Sequence, residues 1–225
     1  MSNVPKDVAK TLETVSLSYA TTSPTDKIAF YQAVFICNLM YIFREPVCIG
    51  LPDTGPLSAL PQLARYIHDA GSDYREWRRS TIRAIENSQA KATLVEGREK
   101  LLQQIAQRIR EQLRSVSGVS LPSATQSSLL VILQYAADLQ HVLLLQRAHY
   151  KIHYFRPMPD DSPLEFDPSR MESISDEDDS DDEMSGVRKV EFCVFPMLEK
   201  FGDEEGNNLE VSNIIRKARV CCGVG

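Results

Sequence analysis

The chain lacks the marks of several large functional classes. It contains no glycine-rich phosphate loop, no serine elbow, no dinucleotide-binding glycine pattern and no HExxH pair, which removes the common signatures of nucleotide, acyl-transfer and zinc-protease chemistry. Secretion finds no support at Met1–Asp7, where no apolar stretch follows a basic one. Five cysteines, Cys37, Cys48, Cys193, Cys221 and Cys222, leave one over in any pairing. Their scatter suits free thiols in a reducing compartment and offers no zinc-knuckle spacing. The apolar stretch Ile28–Phe43 has 16 residues, short of the roughly 20 that span a bilayer. The expectation is a non-enzyme without cofactor or metal, exposed to the cytoplasm.

What is present is an ordinary globular composition with its charge divided. Of 225 residues 43% are hydrophobic and 25% charged, enough to build a real core. Twelve acids and one base lie between Asp160 and Ser185, a local charge of −11. Against the total of −6, the rest of the chain carries +5. Tyr74–Ser115 alone holds ten Lys or Arg against five Glu. A basic folded part is therefore joined to one acidic tract.

Periodicity supplies the elements. Val8, Leu12, Val15 and Tyr19 fit a short opening helix. Ser23-Pro24-Thr25-Asp26 reads as a helix start, leading into a helix to Phe43 that is apolar nearly all round and belongs in the core. Pro46–Pro61 is a loop, Leu60–Ala70 a short helix ended by Gly71, and Ser72 opens a long helical stretch broken near Gly97. Ser123 caps a last helix reaching about Phe155, roughly 48 Å at 1.5 Å per residue. Its apolar stripe is Leu129, Ile132, Leu133, Ala136, Leu139, Val142 and Leu143. Residues 160–186 should be disordered. Val190, Phe192 and Val194, then Ile214–Val220, suggest two strands around the loop Gly202–Asn208.

The expected fold is mainly α: an antiparallel helical bundle with a small C-terminal β-hairpin docked on it, and a disordered acidic insertion. The expected divisions are an N-terminal segment (1–22), a helical bundle (23–159), an acidic linker (160–186) and a hairpin (187–222) completing the same domain.

Two segments, Phe35-Ile36-Cys37-Asn38-Leu39-Met40 running on to Arg44-Glu45-Pro46-Val47, and Val190-Glu191-Phe192-Cys193-Val194-Phe195-Pro196-Met197-Leu198, resemble the C-terminal domain of the mitochondria-eating protein family. The order of elements is similar too: core helix, long charged helix, late hairpin. Asn38-Leu39-Met40-Tyr41 stands where the family carries a tryptophan, and one proline follows instead of two. The resemblance implies an adaptor in mitochondrial quality control (mitophagy), at the cytoplasmic side of the mitochondrial outer membrane. It also implies contact with cardiolipin or outer-membrane proteins, and self-association.

The residues themselves offer one surface candidate. Arg75, Trp77, Arg78, Arg79 and Arg83 combine guanidinium groups suited to phosphate with an interfacial tryptophan, so an anionic phospholipid is the expected ligand. A core tryptophan beside a solvated basic face would present the same pattern. Nucleic acid is not expected, because no binding motif accompanies the charge. Ser175 and Ser180 precede acids, as acid-directed kinases require. The acidic tract could compete with lipid for the basic helices or simply act as a solubilising linker. His149 and His153 have one-turn spacing on the expected helix but no third ligand. Cys221 and Cys222 either finish a strand or form a lipidated tail.

Overall fold

The computed structural model describes residues 27–120, 122–156, 164–174 and 188–223. The opening helix expected before residue 20 and the helix start at Ser23–Asp26 lie outside these residues, as do Ser175 and Ser180. Five α-helices occur among the described residues: α1 Lys27–Phe43, α2 Leu60–Tyr66, α3 Ser72–Glu86, α4 Lys91–Ser117 and α5 Ser123–Leu145. Six strands follow: β1 His149–His153, β2 Met171–Ser173, β3 Lys189–Phe195, β4 Met197–Phe201, β5 Ser212–Arg216 and β6 Ala218–Gly223. They form two three-stranded sheets, ordered β1-β4-β5 and β2-β6-β3.

This is a mixed α+β fold, which corrects the expected helical bundle with a small hairpin. Three local causes account for the difference. First, the last helix stops at Leu145, and Gln146 turns extended at ψ 155°. The apolar period then switches from helical to alternating at Tyr150, Ile152 and Tyr154, and β1 pairs antiparallel with β4 from His149↔Phe201 to His153↔Met197. The helix is therefore about 35 Å long, not 48 Å. Second, the acidic tract contains structure. Glu165 bridges to Lys189, and β2 runs parallel to β6 from Met171↔Ala218 to Ser173↔Val220. Third, the expected hairpin strands each break, at Pro196 and at Lys217, and continue into the neighbouring sheet. β3 pairs with β6 and β4 with β5, so a single kinked ribbon feeds both sheets.

α1 is apolar on nearly every side because both sides are covered. Ile36, Leu39 and Ile42 meet Leu102, Ile105 and Ile109 of α4 and Leu129, Leu133 and Ala137 of α5. Phe30, Ala33, Val34 and Cys37 meet Phe192, Val194 and Cys221 of the second sheet. One polar link is buried within this core: Asn38 Nδ2 donates to the Val34 carbonyl at 2.8 Å and to Gln112 Oε1 at 2.7 Å. The sheet's far face carries Met171, Val190, Cys193, Ala218 and Val220, which pack with Met197 of β4. Val190 and Phe192 point to opposite faces although two residues apart, since a register shift falls between them.

The break in the long charged stretch falls at Asn87–Ala90 instead of Gly97. Ser88 Oγ donates to the Ile85 carbonyl at 2.8 Å and accepts from the Ala90 amide at 3.1 Å, a local bond set that competes with the helix. α4 runs unbroken through Gly97 to Gly118, whose left-handed φ of 71° closes it. α5 carries a further correction. Leu129, Leu133 and Ala137 form its buried side, whereas Ile132, Leu139 and Val142, expected in the same stripe, point outward.

Gly97 serves packing. A Cβ there would stand 2.2 Å from the Gly50 carbonyl oxygen, and Gly50 itself has a φ of 87°. The loop before α2 lies directly on α4 at this point. Helix propensity alone predicts that Gly97→Ala gains about 1 kcal/mol; the backbone contact predicts a loss of roughly 1–3 kcal/mol instead. Urea denaturation of the two chains decides between these, and an unchanged or higher midpoint for the variant refutes the contact.

Candidate functional site

The site is built on the buried side of α3. Tyr74, Arg78, Ile82 and Ile85 share that side at helical spacing, and all four are buried. Arg78 thus occupies a position where an apolar residue would be expected, with 6% of its surface exposed. The guanidinium lies 5.5 Å from the Tyr74 ring centre. Tyr74 is fixed in turn: its hydroxyl donates to the Pro46 carbonyl at 3.2 Å, and its ring contacts Trp77 at 5.9 Å and His68 at 5.3 Å.

Among the described residues no carboxylate comes within ion-pair distance of Arg78 or Arg75. Arg78 Nε has no hydrogen-bond partner. A guanidinium does not give up its proton at ordinary pH, so a positive charge is held indoors with a cation–π contact as its main compensation. Burial lowers the Arg78 pKa, and Tyr74 partly restores it.

More positive charge converges on the same place from β1. His149 and Lys151, two residues apart on one side of the strand, both lie on the Phe201 ring, at 5.8 Å and 4.7 Å from its centre. The His149 pKa is pushed down to about 4, first by burial and then by Lys151, Arg78, Arg75 and His68. Burial is the larger cause, and the charges of Lys151, Arg78 and Arg75 act in the same direction. His68 has an acid beside it, the exposed Asp69 at 3.3 Å, and Lys151 stands directly across the ladder from Glu199 of β4, whose carboxylate bonds His153.

The structure separates the five residues expected from sequence. Arg75 and Arg78 belong to the cluster. Arg79 is tied to Glu76 at 2.7 Å across one helical turn, and Arg83 is exposed elsewhere on the helix. Trp77 is half-buried against the apolar group that includes Leu144 and Leu145. No sequence signal joins His68, His149 and Lys151 to these arginines, the last two because the helical pattern of α5 hides β1. A signal for Arg78 was available: it falls four residues after Tyr74 and four before Ile82.

His149 and His153 do not share a helical turn, being four residues apart on β1, and His153 bonds Glu199 at 2.9 Å. No group of three potential metal ligands occurs among the described residues. A cleft of about 780 Å³ between the Gly50–Pro61 loop and α4 mixes Glu45, Asp53 and Glu96 with Arg65 and Lys100 and concentrates neither sign of charge. Outside the cluster, the other unusual surface is the outward side of α5, which is long and apolar enough to cross a membrane by length and composition, with 28% of that window buried. Comparison with protein-family models, curated proteins and solved structures gives no match for this chain.

Because His149 titrates in the fold near 4 instead of 6.5, the unfolded chain binds more protons between those values. The folded state is therefore penalised progressively as pH falls through 6.5 towards 4, and free of this penalty above 6.5. His149→Gln should show a shallower loss of stability between pH 7 and 4.5 than the parent chain in urea titrations. Parallel pH profiles would reject the crowding of positive charge around His149.

Proposed function

We propose that this chain is a non-enzymatic interaction domain that holds an anionic, phosphate-like group against Arg75, Arg78, His149 and Lys151. One observation carries the reading: a buried arginine with no carboxylate in ion-pair distance among the described residues, in the neighbourhood of other cations. Such an arrangement is unfavourable in the empty protein and becomes favourable when an oxyanion supplies the missing charge. A phosphate offers several acceptors at once, and the planar guanidinium of Arg78 can bond two of them.

The source of that phosphate is an anionic phospholipid headgroup in this reading, with cardiolipin the candidate that the family resemblance supplies. The domain then acts as an adaptor in mitochondrial quality control, at the cytoplasmic face of the outer membrane. Exposed groups at the rim, His68 and Lys151, would meet the headgroup first, and Arg78 would hold it. A second reading, a protein–protein scaffold with no lipid role, draws support from the outward apolar side of α5.

Flotation with cardiolipin-containing and pure phosphatidylcholine vesicles, at low and moderate salt, tests the proposal. The expected result is binding to the anionic vesicles alone, weakening as salt rises. Thermal shifts with inorganic phosphate separate a site for free phosphate from one that needs a bilayer. Arg78→Met should abolish binding and at the same time stabilise the fold by about 1 kcal/mol or more, because an unpaired buried charge is removed. Absence of binding at every salt concentration, or binding that survives both Arg75→Ala and Arg78→Met, overturns the reading.

A further inference from the structure

Near its start α1 keeps one side open. An apolar groove of about 440 Å³ lies there, between the helix and the second sheet. Ile28, Tyr31 and Phe35 line it from α1, and the buried Ile36 and Val194 lie where helix and strand meet. Phe195 stands on the strand side and is 44% exposed. Ile28, at the end where the chain enters the helix, is 72% exposed. The one charged residue among those lining the groove is Arg219.

We propose that residues 4–19 of this same chain form an amphipathic helix that turns back on α1 and fills the groove. Connection decides the occupant. The chain enters α1 at Lys27, one residue before Ile28, so the segment that precedes it starts at the mouth of the groove. Residues 20–26 provide a link of seven residues, a length usual between antiparallel helices. Extended, such a link reaches about 23 Å at most, ample for two helix axes about 8–10 Å apart. The tether also holds the segment at an effective concentration on the order of millimolar. A modest apolar contact then suffices to seat it, and any separate peptide has to compete with it.

Register and charge agree with this occupant. Read backwards from the link, Tyr19 comes beside Ile28 and Leu12 beside Phe35, because seven residues separate the two positions along each helix. In a helix Val4, Val8, Leu12, Val15 and Tyr19 share one side, while Lys6, Lys10 and Glu13 fall on the opposite one. The side turned to α1 thus brings no charge into an apolar groove. It would cover Ile28 and Phe195, which otherwise expose large apolar surface beside the core.

This inference does not rest on the anion-binding reading, whose arginines belong to α3. Hydrogen exchange on the full chain should show the amides of residues 6–19 slowed about tenfold or more against an unstructured chain, equally at low and high protein concentration. Ile28→Asp gives a test of sign. The first turn of α1 holds no acid, and the helix dipole favours one there. With an open groove the substitution therefore leaves the melting temperature unchanged or raises it. A docked helix predicts the reverse, a lower melting temperature together with lost protection at 6–19. Leu12→Asp should act in the same way and shift the methyl resonances of Ile36 and Val194. Leu17→Asp, on the other side of the helix, should leave both as in the parent. Unprotected amides in the parent, a melting temperature unmoved or raised by Ile28→Asp, or equal effects of Leu12→Asp and Leu17→Asp overturn the proposal. Protection that grows with protein concentration overturns it too, since another copy then fills the groove. So does protection that appears only with vesicles, since the segment then folds on lipid.

Discussion

A helix buried over most of its surface obliges the rest of the chain to cover it twice. α1 meets this demand with two different materials, α4 and α5 on one side and the β2-β6-β3 sheet on the other. Much of the architecture follows from that requirement. The C-terminal strands return across about 150 residues of chain to close the second side, and β3 and β6 must be apolar towards α1. The buried Asn38–Gln112 bond fixes how α1 and α4 meet, since a shift by one turn would take from the buried Gln112 carbonyl its Asn38 donor.

The second sheet is itself buried on both faces, and this explains why β3 alternates imperfectly. Val190 and Cys193 face one cluster, while Phe192 and Val194 face α1. Together with the break at Pro196, these irregularities let one ribbon serve two sheets. The first sheet, with β1 at its edge, then brings His149 and Lys151 towards α3. The cationic cluster is consequently a junction between the helical half and the strand half, and neither half contains it alone.

Legibility from sequence tracked the length and regularity of each pattern. Lys27–Phe43 announced a core helix through sheer apolar density, and the alternation at Val190–Val194 announced a strand. β2, with three residues inside an acidic tract, has no pattern to read; only its partner β6 makes it a strand. β1 was hidden because a helical stripe ran up to Leu145 and nothing in the residues forces a helix to stop there. The candidate site was half legible for a related reason. A basic run names its arginines, but which of them is buried depends on where Tyr74 and Ile82 pack, and that is decided by α5 and the loop around Val47.

Pairing of β2 and β3 with opposite edges of the same strand leaves β6 without a free edge at Arg219 and Val220. Its backbone groups there are engaged on both sides, so no further strand can add to β6, and the sheet can be extended only from β2 or β3.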